Sequence, residues 1–162
     1  VTPDHFASAL LVDEQGRYLM QIRDDVPHIL HPGALGLFGG GIEAGEEADG
    51  AVRRELDEEI GFVPGDLGHW RTLWVPLRHG GELLRSARVE VFAGTIEAAC
   101  VPGLEQREGA GRLLIGPRSL LLEEKVTPSA RLAVGLHAQA ALAAVAAEPV
   151  VERWPTRLGA WR

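Results

Sequence analysis

Apolar positions along this chain fall into blocks whose spacing alternates between strand-like and helix-like. The first block, Phe6, Ala7, Ala9, Leu10, Leu11 and Val12, is nearly continuous and stops at Asp13-Glu14-Gln15-Gly16. Tyr18-Leu19-Met20-Gln21-Ile22 resumes it, so His5 to Met20 reads as two strands around a turn. Arg23 to Gly36 is polar, carries Pro27, Pro32 and two histidines, and predicts a loop. Leu37-Phe38 then enters Gly39-Gly40-Gly41, which predicts a tight or unusual backbone turn, because glycine accepts such dihedrals freely.

Beyond the glycines the spacing becomes helical. Ala48, Val52, Leu56 and Ile60 form one stripe and predict a helix from about Glu46-Glu47 to Ile60. Acidic residues in its first turn suit the positive end of the helix dipole, and Gly61 is a natural C-terminal stop. Glu55, Glu58 and Glu59 stand at i, i+3 and i+4 and share one face, next to the apolar stripe rather than opposite it. These carboxylates therefore line the edge of a buried interface, where a cleft can lie.

Trp70 to Leu77 and Arg88 to Ile96 predict strands, linked by a hairpin-like connection over Arg78 to Ser86. Four residues apart in one strand, Trp70 and Trp74 are expected on the same side. Ala99 to Gly111 predicts a loop and Leu113-Leu114-Ile115 a short strand. Pro128 opens a second long helix through about Ala147, Ala-rich and suited to close packing. Residues 1–147 are expected to form a single domain. Residues 148–162, with Trp154 and Trp161, form a tail expected to pack on that domain or at an oligomer interface, which leaves room for a homodimer.

Composition narrows the class. With 162 residues, 46% hydrophobic and 24% charged, the chain supports one ordinary globular core. No apolar run is long enough for a membrane span, and Val1-Thr2-Pro3-Asp4-His5 is not a secretory signal. The single cysteine, Cys100, cannot close an internal disulfide; it fits a cytoplasmic location and is expected as a small buried hydrophobe. A formal charge of −7 argues against non-specific nucleic-acid binding.

Three carboxylates on one helical turn repel one another unless something cationic joins them. Hard divalent cations want clustered carboxylate oxygens, and magnesium commonly arrives with substrate phosphates. A solvated acidic face is the bland alternative, but it does not explain why Gly40, Glu46, Arg54 and Gly61 coincide with it. A nucleoside-triphosphatase P-loop is excluded, since no Gly-Lys-Ser/Thr follows the glycine run. The dinucleotide fingerprint fails at Ala44.

The segment Gly40-x5-Glu46-x7-Arg54-Glu55-Leu56-x-Glu58-Glu59-x-Gly61-Phe62 resembles the signature box of the Nudix hydrolase family at every fixed position. Phe38 departs from it, where many members have proline before paired glycines. With the strand–helix order, the resemblance implies an α/β (α+β) fold: an α/β/α sandwich with a mixed β-sheet flanked by helices. It implies Mg2+ as cofactor, with Mn2+ as substitute, held by the Gly40 carbonyl, Glu55, Glu58 and Glu59. Glu46, Arg54 and Gly61 take structural roles, Arg54 pairing with Glu46 to orient the helix. The implied reaction is attack by water on a diphosphate bridge of a small-molecule nucleotide. Its general base is a box glutamate, Glu58 or Glu59, or a loop residue, of which Glu108 is preferred over Glu105 and Glu97.

Candidate substrate contacts are Arg23, His28 with His31 beside it, Arg78 and Arg88. A nucleotide sugar or nucleoside triphosphate is favoured as substrate. Pro76, fifteen residues past Gly61, is similar to a proline of the ADP-ribose subgroup and keeps an ADP-ribose pyrophosphatase open. A non-catalytic nucleotide-sensing module is the other alternative.

Overall fold

The nearly continuous apolar run at the start becomes a strand buried on both faces, which is why it does not alternate. The computed structural model describes residues 5–79 and 82–146, with side chains described for 5–77 and 86–144. Its elements are β1 (His5–Val12), β2 (Tyr18–Ile22), β3 (Leu35–Gly36), β4 (Phe38–Gly41), α1 (Ala48–Ile60), β5 (Gly68–His79), β6 (Glu82–Thr95), a 3-10 turn (Ala98–Gly103), β7 (Gly111–Ile115), α2 (Pro117–Leu122) and α3 (Pro128–Ala146). The tail expected over 148–162 lies outside the described residues.

Seven strands form one mixed sheet. β1 runs parallel to β6 from His5↔Arg88 to Val12↔Thr95. Along its other side the sheet forks: the start of β1 pairs with β4 (Phe6↔Gly41 to Ala9↔Phe38) and its end with β2 (Leu11↔Leu19, Val12↔Tyr18). β2 goes on to pair with β3 and β7, and β5 closes the far side against β6. The fork lets Gly39 of β4 and Gln21 of β2 both reach Glu59 of α1.

Helices cover both faces, as an α/β/α sandwich requires. On one face Ala51, Val52, Leu56 and Ile60 of α1 pack against Ala7, Ala9, Leu11, Leu19, Phe38 and Phe92. On the other, Leu120 of α2 and Ala130, Ala133 and Val134 of α3 pack against Leu10, Met20, Leu73, Val75, Val89 and Val91. Burying a side chain such as Leu56 or Ile60 contributes roughly 1.5–3 kcal/mol. No helix among the described residues is long and apolar enough to cross a membrane.

Four expectations need correction. Gly39-Gly40-Gly41 is a strand paired to β1, not a turn; its glycines answer to crowding, described below. The connection expected over Arg78 to Ser86 is mostly strand, since β5 runs to His79 and β6 starts at Glu82. Trp70 and Trp74 face opposite ways: a bulge between His69 and Arg71 inserts Trp70 as an extra residue. Trp70 consequently packs on the α3-side core, while Trp74 is 66% exposed. Cys100, on the 3-10 turn, is exposed rather than buried. β3 and α2 were not anticipated, being too short for any period to show.

Candidate active site

Site geometry begins with Gly39 and Gly40. Gly39 has φ +132, and a side chain there would run into the Ala7 carbonyl and lie 2.7 Å from the Ser8 Cα. At Gly40, a Cβ would occupy the place of the Glu55 carboxylate, whose Oε2 would stand 2.7 Å from it. The glycines thus let α1 lie so close that its carboxylates meet the main chain of β4.

Arg54 ties helix to strand. Its Nε donates to Glu46 Oε1 at 2.9 Å and its Nη2 to Glu46 Oε2 at 3.0 Å, a bidentate grip on the loop before α1. Nη2 also reaches the Gly41 carbonyl at 3.2 Å, and Nη1 reaches Glu55 Oε1 at 2.8 Å and Glu58 Oε2 at 3.3 Å. The guanidinium is thereby held still more firmly protonated, chiefly by Glu46. Gly61 caps α1 at φ 63, its N–H donating to the Asp57 carbonyl at 3.1 Å.

Glu59 is the buried member of the acidic face, 4% exposed. Gly39 N–H donates to its Oε2 and the Gln21 carboxamide to its Oε1, each at 2.8 Å. Burial pushes Glu59 up, these two donors pull it down, and the charges of Glu55 and Glu108 push it up again, to about 7. Burial likewise raises Glu55, against the pull of Arg54 and with a further push from Glu58 and Glu108. Glu58 lies mostly in solvent. Among the described residues no three His, Cys, Asp or Glu side chains form a ready-made metal-binding group. Arg54, Gly39 and Gln21 occupy the carboxylates instead. As a donor set, the carboxylates with the Gly40 main chain are all hard oxygen, which suits Mg2+ or Mn2+ and not a soft ion.

Of the loop glutamates, Glu108 carries charge felt by both Glu55 and Glu59. Its loop is pinned on either side, Arg107 N–H to the Glu59 carbonyl and Ala110 N–H to the Ile22 carbonyl, both 2.8 Å. Glu105 turns to Arg107 at 2.8 Å, and Glu97 holds the N-cap position of the 3-10 turn without a side-chain capping bond.

A cavity of about 270 Å3 shares Gly39 and Gly40 as one wall. Phe6, Leu30, Val75, Leu77 and Val89 make it mostly apolar, and Arg23, His31, Ser8, Thr127 and Ser129 give it polar groups. Arg23 donates from Nε to the Leu30 carbonyl at 3.1 Å. Burial lowers its affinity for the proton, and the charge of Glu59 opposes this. His31, at φ 55, is lowered by burial and then by Arg23. Of the predicted substrate contacts, Arg23 lines the cavity. His28 is exposed and outside its lining, with His31 there instead. Arg88 pairs with Glu90 at 2.6 Å, away from the cavity. The side chain of Arg78 lies outside the described ones. Sequence reasoning passed over Gln21, Thr127 and Ser129; the one available signal was Gln21, a polar residue inside an apolar strand.

Comparison with known proteins adds a lineage. A family profile described as the NUDIX domain matches residues 4–100. The nucleoside triphosphatase NudI of Escherichia coli O139:H28 is 42% identical over 52 residues, 32% of this chain and 36% of that protein. The match thus spans only about a third of that relative's length. Among solved structures, the MutT protein of Methanosarcina mazei Go1 superposes with TM-score 0.65 at 22% identity, over 87% of this chain and 96% of that one. The NUDIX domain of Shewanella oneidensis NrtR, complexed with ADP ribose, gives 0.67 at 14% identity, over 87% and 89%. At such identities the superpositions speak for the fold.

Proposed function

Because this chain belongs to the Nudix hydrolase family, we propose that it hydrolyses the diphosphate linkage of a nucleoside diphosphate derivative in a Mg2+-dependent reaction. A nucleoside triphosphate or a nucleotide sugar is the favoured substrate; the partial likeness to a nucleoside triphosphatase supports the first. The observation that carries this reading is a glycine strand against which Glu55 and Glu59 lie and which also walls an apolar cavity.

Glu55, Glu59 and the Gly40 carbonyl would hold the metal, with Glu58 at its outer side. Once bound, the ion supplies charge neutralisation on phosphate oxygens and lowers the pKa of water. The chain's own groups do the rest. The apolar cavity takes the base and excludes water, Arg23 faces the phosphates, and Glu108 accepts the proton of the attacking water. Arg54, gripping Glu46, keeps α1 at its angle to β4. Pro76 in the cavity lining favours, as a second reading, an ADP-ribose-type substrate.

The test is a nucleotide panel with Mg2+ and product identification, on wild type and Glu59→Gln. Wild type should release a nucleoside monophosphate or its equivalent from one panel member. Glu59→Gln should lose more than about a hundred-fold, because even outer-sphere changes cost 10–100-fold. Tight nucleotide binding with no product from any panel member would favour a sensing module. Glu108→Gln should slow turnover by about 10²–10⁴ while leaving Mn2+ affinity nearly unchanged; equal turnover would return the base to the helix.

A further inference from the structure

Gln21 is 5% exposed in β2, and a buried amide is costly unless its hydrogen bonds are made. Its carboxamide spends one on Glu59 Oε1. From the other side it is pressed by Gly109, at φ +80, where a Cβ would lie 3.0 Å from Gln21 Cγ and 2.8 Å from the Ile22 carbonyl. Gly109 belongs to the loop that carries Glu108, and that loop is tied to the main chain of Glu59 through Arg107 N–H. Gln21 therefore bonds to Glu59 on one acidic element and packs against Gly109 of the loop that carries Glu108.

We propose that Gln21 is a positioning residue whose uncharged carboxamide orients Glu59 toward a divalent cation and sets the register of the Glu108 loop against it. The inference rests on the metal-dependent reading above. Chemistry explains the choice of an amide. Each donor uses one lone pair of its Glu59 oxygen and leaves the rest for another partner. A lysine or arginine at position 21 would place its own charge where the cation's is required. A glutamate would add a further negative charge to Glu55, Glu59 and Glu108. An apolar residue would leave Oε1 of a buried carboxylate without its donor.

The experiment compares the full chain with Gln21→Met, similar in shape but without the donor, and Gln21→Lys, which keeps a donor but adds charge. Free Mn2+ measured by electron paramagnetic resonance gives cation affinity without turnover. kcat and KM on the fastest panel nucleotide, with Tm, complete the readout. Gln21→Met should weaken Mn2+ binding by about 10–100-fold and lower kcat, with KM within about twofold. Gln21→Lys should stay folded and lose Mn2+ binding. Mn2+ affinity and kcat within twofold of wild type in Gln21→Met would overturn the inference while leaving the functional reading intact. If Gln21→Met is unfolded at the assay temperature, Gln21→Lys decides, and wild-type Mn2+ affinity there overturns it. Wild type that neither binds Mn2+ nor turns over any nucleotide would overturn the functional reading itself.

Discussion

Glu59 on α1 and Glu90 on β6 are the same residue type at the same depth, 4% exposed each, on the same face of the sheet. Their surroundings are opposite. Glu90 accepts from Thr72 Oγ1 at 2.6 Å, contacts the His69 and His5 imidazoles at 2.8 and 3.4 Å, and pairs with Arg88 at 2.6 Å. Burial pushes it up, but those partners outweigh burial and hold it at about 2. Glu59 has two uncharged donors, two acidic neighbours and only the Arg23 charge opposing them without a hydrogen bond, and stands at about 7. One carboxylate is completed by its own chain and latches β1, β5 and β6 together. The other is left short of positive charge, beside a cavity. Burial alone does not separate the two carboxylates; the charge balance around each does.

Activity should break the comparison most sharply. Glu90→Gln is expected to keep turnover within about threefold, against a loss beyond a hundred-fold for Glu59→Gln. A Glu90→Gln enzyme as dead as Glu59→Gln would erase the distinction.

Next in size is the pH dependence of stability in metal-free protein. Glu59 is raised from 4.5 to about 7 in the fold, so the folded state keeps a proton that the unfolded chain releases. Stability should fall as pH rises through that window, by up to about 3 kcal/mol. Mn2+ should offset this loss and raise Tm more at pH 8 than at pH 5. Thermal melts of wild type and Glu59→Gln decide the point, since the variant should show neither the slope nor the metal effect.

Glu90 has the opposite sign. Its depressed value contributes stability that is present above its ordinary 4.5 and is lost as pH falls toward 2. Its partners are half-exposed, so solvent screening reduces the contribution to about 2 kcal/mol. Glu90→Gln should therefore lower Tm at pH 7 by about 4–8 °C and have little effect near pH 2. An unchanged melt at pH 7 would show the latch to be idle.

The smallest effect belongs to a single partner of the latch. Arg88→Ala should cost less than about 1 kcal/mol and leave KM unchanged. A tenfold rise in KM would move Arg88 from the latch to the substrate.

Much of the site was legible because it is local. Glu55, Glu58 and Glu59 share a face by helical period alone, and the αL stop at Gly61 follows from its residue type. β1, β2, α1, β7 and α3 also lay where period and end signals put them. The glycine run defeats a local turn rule because its demand comes from elsewhere: Gly39 is crowded by Ala7 and Ser8 of β1, about thirty residues back, and Gly40 by Glu55, fifteen residues on. Trp70 was misplaced because one bulge reverses the alternation of a strand, and bulges leave little mark on composition. Gln21, Thr127 and Ser129 reach the site only through the fork in the sheet and the start of α3.

Residue order alone determined the acidic helix, its cap and the glycines before it, since those depend on neighbours within a turn or two. It thereby determined the family and the kind of chemistry on offer. Tertiary structure decided which glutamate is buried, which donors meet it, and which loop and cavity stand beside it. Those outcomes depend on charges and contacts brought together from β1, β2, β4 and the 104–110 loop, and no local rule sums fields across a fold.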